Sequence, residues 1–132
     1  MKVIMLFLGL LTATSLIPAF AQEPTPAESS SESARLRTAR QAVRCSIVYG
    51  MAGGNTKSES MRTELVGLQK TMMLAAPKLG ATNTSMREWL DEFDQEVNSA
   101  SRSDVFWSTQ IEVCMSFYDN HGDALSKLVS QR

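Results

Sequence analysis

The chemistry open to this chain is bounded by one histidine, His121, and two cysteines, Cys45 and Cys114. Any Ser-His-Asp or Cys-His catalytic set would have to be built on that histidine. It sits in "YDNHGD", with Asp119 and Asp123 two residues to either side, where an exposed turn histidine is the simpler reading. The same stretch presents oxygen ligands at alternate positions. Counted from Asp119 as a calcium loop, however, it puts glycine fourth and Ser130 twelfth, where a bidentate glutamate is required. Zinc would need three or four Cys, His or carboxylate ligands. Six methionines follow residue 21, and thioether sulfur suits copper(I). Met61, Met72 and Met86 nevertheless fall on apolar helical stripes, where methionine is ordinary core filler. The expectation is a chain with no enzymatic activity, no cofactor and no metal.

Two features carry more. Cys45 and Cys114 lack the C-x-x-C spacing of a redox pair and are read as one structural disulfide. Closing a loop of about 70 residues would contribute about 4 kcal/mol in the chain-entropy model. Arg37, Arg40 and Arg44 recur three and four apart along one side of a helix, with Arg35 nearby. Arginine grips carboxylates and phosphates bidentately, so the stripe is the candidate partner-binding site. It has two possible homes. It can face an acidic partner or a lipid headgroup, or pack beside the acidic residues Glu88, Asp91, Glu92, Asp94 and Glu96 of the same chain.

The elements that must position these residues read as helices. The first is expected over about 33–52, with Leu36, Val43 and Ile47 on one face; it is apolar nearly all round in "AVRCSIVYGMA" and ends at Gly53-Gly54. Gly50 within it suggests a close backbone approach. The second, about 58–76, carries Met61, Leu65, Leu68, Met72 and Ala75 and is stopped by Pro77 and Gly80. The third starts from a Ser85 cap with Glu88 closing a capping box, and buries Met86, Leu90, Phe93 and Val97. The fourth, capped by Ser101 or Ser103, places Trp107, Ile111, Cys114 and Tyr118 in line and ends near Gly122. A short helical tail over 123–130 completes the domain. The fold class is all-α: a four-helix up-down bundle with a possible short fifth helix, tied by one disulfide.

The domain would occupy residues 34–132. Residues 22–33 are Pro/Ser/Glu-rich with nothing large and apolar, and read as a disordered linker. Residues 1–21 have the parts of a secretory signal: Lys2, an apolar stretch from Val3 to Ile17, and Ala19-Phe20-Ala21 as the cleavage site. Fifteen residues diluted by Thr12, Thr14 and Ser15 are short of the roughly 20 that a membrane span needs. Export, to periplasm or medium, would also supply the oxidising compartment a disulfide requires. Without Lys2, 12 basic residues face 14 acidic ones, a balance that offers nucleic acid no electrostatic footprint.

In outline — signal, linker, small helical bundle, one long-range disulfide — the chain resembles periplasmic acid-stress chaperones and helical immunity proteins, an architectural resemblance carrying no residue-level correspondence. Two functions are expected on this basis. The first is a small exported binding protein, such as an immunity protein, inhibitor or accessory subunit, whose partner is another exported or envelope protein with an acidic surface. The alternative is a periplasmic stress chaperone that exposes apolar surface when its carboxylates protonate.

Overall fold

The computed structural model describes residues 26–100 and 103–131, so the expected signal segment and residues 22–25 of the expected linker lie outside the described residues. Four helices follow in chain order: α1 (Pro26–Asn55), α2 (Glu59–Lys78), α3 (Asn83–Ser99) and α4 (Asp104–Ser130). The all-α bundle is as expected, and so is the Cys45–Cys114 disulfide, which joins α1 to α4 with a Cα–Cα distance of 5.4 Å.

Cross-helix contacts give the directions. Arg40 and Arg44 pair in the same order with Glu92 and Glu96, so α1 and α3 run parallel. Lys78 Nζ, at the end of α2, donates to the carbonyl of Gln131 just past α4, so those two helices finish together. Gly50 faces Gln69 and Gly53 faces Leu65, the reversed order of an antiparallel α1–α2 pair. The up-down alternation follows. Helix α1 is its axis: Ala39, Ala42, Val43, Cys45, Ser46, Val48 and Tyr49 are all buried, covering most of its circumference, while Arg37, Arg40 and Met51 on the remaining side are exposed. The stretch expected to be enclosed all round is therefore covered on most sides but open along one, where Met51 is exposed and Arg44 and Ile47 are half-buried.

Several boundaries differ from the sequence reading, each for a local reason. Helix α1 starts at Pro26, so residues 26–33, expected to be a disordered linker, are helical; proline is well suited to a first helical turn. Ser31 to Arg35 are exposed. At the other end α1 runs through Gly53 and Gly54 to Asn55 rather than stopping at the glycines. Gly53 is where the backbones approach closely, since a Cβ there would lie 3.4 Å from Cβ of Leu65. Gly50, the expected site of that approach, instead accommodates the amide end of Gln69. Arg62 of α2 donates to the carbonyls of Gly53 and Thr56, satisfying acceptors at the α1 terminus.

Pro77 lies inside the last turn of α2 rather than beyond it. The stop is Gly80, whose φ of 100° allows the Gly80 and Ala81 amides to turn back onto the Pro77 and Ala76 carbonyls. The capping box of α3 is built on Thr82 and Ser85, not on Ser85 and Glu88: the Ser85 amide donates to Thr82 Oγ1 at 3.1 Å, and the Thr82 amide to Ser85 Oγ at 2.9 Å. Ser103 caps α4 as expected. That helix then continues through Gly122, so the expected fifth helix is the last two turns of α4. Its buried stripe is Gln110, Cys114, Phe117, Gly122 and Leu125, rotated from the expected one, which leaves Ile111 and Tyr118 partly exposed.

Among the described residues, no helix is long and apolar enough to cross a membrane.

Candidate functional site

Helix α3 lies along α1 with Phe93 and Val97 buried beneath it. Phe93 is packed edge-on by Trp107 and faced by Phe106, at centroid distances of 6.2 and 6.3 Å. Beside Phe93, α1 and α3 part to leave a cleft of about 330 Å³. Its α1 wall is Arg37, Arg40, Gln41 and Arg44, and its α3 wall is Trp89, Glu92, Phe93 and Glu96. The structure thus brings all three arginines of the stripe into one concave site.

They are not equivalent there. Arg40 forms an ion pair with Glu92 in which both side chains remain about half exposed. Arg44 is held more firmly. Its two Nη atoms reach the two oxygens of Glu96, at 3.1 and 2.5 Å, and its Nε donates to Oε1 of buried Gln110 at 2.8 Å. Its guanidinium also lies 4.6 Å from the centre of the Phe93 ring. Arg37 is exposed and has no ion pair among the described residues. Of the two homes open to the stripe, the internal one therefore holds for Arg40 and Arg44, while Arg37 is left at the mouth of the cleft.

The pairing has a visible origin. Arg40 and Arg44 are four apart, as are Glu92 and Glu96, so parallel helices can mate both pairs in register. Sequence reasoning named the acidic helix but not which carboxylates would engage, and it missed Gln110 and Trp89 as part of the site. The available signal for Gln110 was a polar residue midway between Trp107 and Cys114 on an otherwise apolar helical face.

The remaining chemistry-bearing residues do not converge. His121 is exposed, its ring tilted against Phe117 at 4.8 Å. Asp119 lies toward the α2 side of the bundle, beside Tyr49. Met72 is fully buried, Met86 half-buried and Met61 exposed. Among the described residues no three His, Cys, Asp or Glu side chains are grouped to hold a metal ion. Cys45 and Cys114 are wholly buried as the disulfide.

Tyr49 is the other buried polar group of note. Its hydroxyl donates to the Cys114 carbonyl at 2.5 Å, laying a second α1–α4 link beside the disulfide. Burial pushes the phenol up to about 12, with the neighbouring Tyr118 and Asp119 adding to the shift.

Compared with protein-family models, with curated proteins and with solved structures, the chain matches none of the three, so its function has to be argued from the cleft itself.

Proposed function

We propose that this chain is a non-enzymatic binding protein, exported to an oxidising compartment, that recognises an acidic surface of another exported or envelope protein through the α1–α3 cleft. The observation that carries the reading is the arrangement of its three guanidiniums around one cavity. Glu92 and Glu96 fix two of them, and Arg37, without an internal ion pair, stands at the mouth beside Trp89. Arginine and tryptophan next to a pre-formed concavity are the residue types that dominate interface energetics. Ordering the side chains beforehand also reduces what binding must spend on immobilising them. The buried disulfide supports export, since such bonds persist in oxidising compartments.

The test uses oxidised protein as bait in cell-envelope and culture-supernatant fractions. Arg37→Glu is the informative variant, because reversing Arg40 or Arg44 would also break contacts that hold α3. One stoichiometric partner, retained by the native chain and lost by Arg37→Glu at unchanged melting temperature, is the expected result. Binding that Arg37→Glu leaves intact would remove the cleft as the site.

A second reading, the acid-responsive chaperone, draws on a different consequence of the same geometry. Glu92 and Glu96 are the carboxylates that bind α3 to α1, and beneath α3 lies the Phe93–Phe106–Trp107 cluster. Neutralising both glutamates would loosen that cover. Under this reading, Glu92→Gln/Glu96→Gln would bind an apolar dye at neutral pH as the native chain does in acid. A double variant that stays closed, with native protein equally closed in acid, would dispose of it.

A further inference from the structure

A second concavity lies on the opposite flank of α1, between α2 and α4, and is chemically unlike the arginine cleft. Tyr49 of α1 lines it from within, Leu65 and Leu68 of α2 form one side, and Met61 and Met115 stand exposed above them. The volume is about 270 Å³. The rest of the lining is Tyr118 and two carboxylates, Glu64 on α2 and Asp119 on α4; no basic side chain takes part. Apolar walls, an aromatic face and an acidic rim form a set with one complementary ligand class.

We propose that the α2–α4 groove binds a small organic cation with an apolar body, such as a substituted ammonium, as a site separate from the arginine cleft. The body would lie on Met61, Leu65, Leu68 and Met115, whose flexible thioethers adapt to varied shapes. The charge would sit between Glu64 and Asp119 and against the Tyr118 ring, which attracts cations through its negative face.

Two further observations fit. In the middle of α4, the Tyr118 ring lies directly over Gly122: a Cβ on that glycine would fall 2.6 Å from Tyr118 Cε2. Glycine at this one position therefore lets the ring lie down along the helix instead of standing away from it. The Tyr49 phenol, raised chiefly by burial and then by Tyr118, is raised a little further by the Asp119 carboxylate, consistent with negative charge at the groove. A cation would find that charge already in place.

The spread of methionines makes the test site-specific. Met61 and Met115 line this groove, whereas Met51 lines the apolar surface beside Trp107 and Met86, on α3, packs against the cluster of Ala39, Val43, Ala76 and Ala81. Oxidised full chain with labelled methionine methyl groups would be titrated with benzyltrimethylammonium, benzyl alcohol and phenylacetate, followed by NMR. The expected result is saturable shifts at Met61 and Met115 with the ammonium alone, weakened about tenfold or more in Glu64→Gln/Asp119→Asn. Both substitutions are on exposed side chains, so folding is not at issue. Equal binding of the neutral alcohol, shifts centred on Met51, an undiminished response in the double variant, or no saturable shift would each overturn the proposal. Because the readout avoids Arg37 and Trp89, its outcome is independent of the partner-binding test.

Discussion

Arg44 joins three helices: its guanidinium reaches Glu96 on α3 and Gln110 on α4 while covering the Phe93 ring. Arg40 has only Glu92, in a pair open to solvent, where such contacts are worth about 0–1 kcal/mol. Truncation should separate the two. Arg44→Ala is expected to cost about 1–2 kcal/mol, because it strips an aromatic face and leaves a buried amide oxygen without its donor. Arg40→Ala should cost about 0.5 kcal/mol or less. Denaturant unfolding of both variants checks the ranking, and equal losses would contradict it. Tyr49 supports a pH prediction with a definite sign. Its phenol titrates near 12 folded against about 10 in an unfolded chain, so its contribution is complete below pH 10. That contribution is lost as pH rises from about 10 through about 12. Tyr49→Phe should cost about 1 kcal/mol at neutral pH, since it removes one hydrogen bond to a carbonyl that already serves the α4 ladder. The gap between native and variant stability should then close with rising alkali; a gap constant to pH 12 would refute the assignment.

At the scale of elements, existence and order were legible in the sequence and endpoints were not. The stripe Leu65–Leu68–Met72–Ala75 and the cap Ser103 are local signals, and the structure uses them, although Met61 at the head of the stripe is exposed. Glycines misled because the same residue type serves two ends. Gly80 does break a helix, whereas Gly53 and Gly122 sit within helices: Gly53 packs on Leu65 of α2, and the Tyr118 ring occupies the space a Cβ on Gly122 would take. At Gly53 the partner is Leu65 of another helix, which is not in the local sequence; at Gly122 it is Tyr118, one turn back in the same helix. Thr82 won the α3 cap over Ser85 because Ser85 serves it better from the third position, returning a hydrogen bond to the cap amide. The consequence is testable. Thr82→Ala should cost about 1 kcal/mol, and Glu88→Ala much less, if the box is built as observed. Thermal melts of the two variants decide it, and the reverse ranking would restore the Ser85–Glu88 box.

Across the whole molecule, the elements are tied unequally to one another. Helix α1 is covered on most sides, and α4 shares with it a disulfide and the Tyr49 hydrogen bond at one residue, Cys114. The covalent link and the buried phenol thus fix one register of α4 on α1. That register in turn sets Gln110 under Arg44 and leaves Tyr118 facing α2, so both concave sites depend on it. The sequence made the bridge readable, because two cysteines permit only one pairing. It showed the arginine stripe and its acidic counterpart but not the concavities, which arise where helices far apart in the chain meet. Closing a loop across a separation of 69 residues restricts the unfolded chain by about 4 kcal/mol in the entropic account. For a domain of this size that corresponds to a melting-temperature loss on the order of 15–20 °C on reduction. Cys45→Ala/Cys114→Ala should lose at least as much as the reduced protein, since both sulfurs are buried in the core and Cys45 Sγ also accepts from Gln41 Nε2. The loss should also be accompanied by freer motion of Tyr118, read from its aromatic NMR signals. A reduced protein that melts within a few degrees of the oxidised one would mean that packing around α1, rather than the bridge, holds α4 in register.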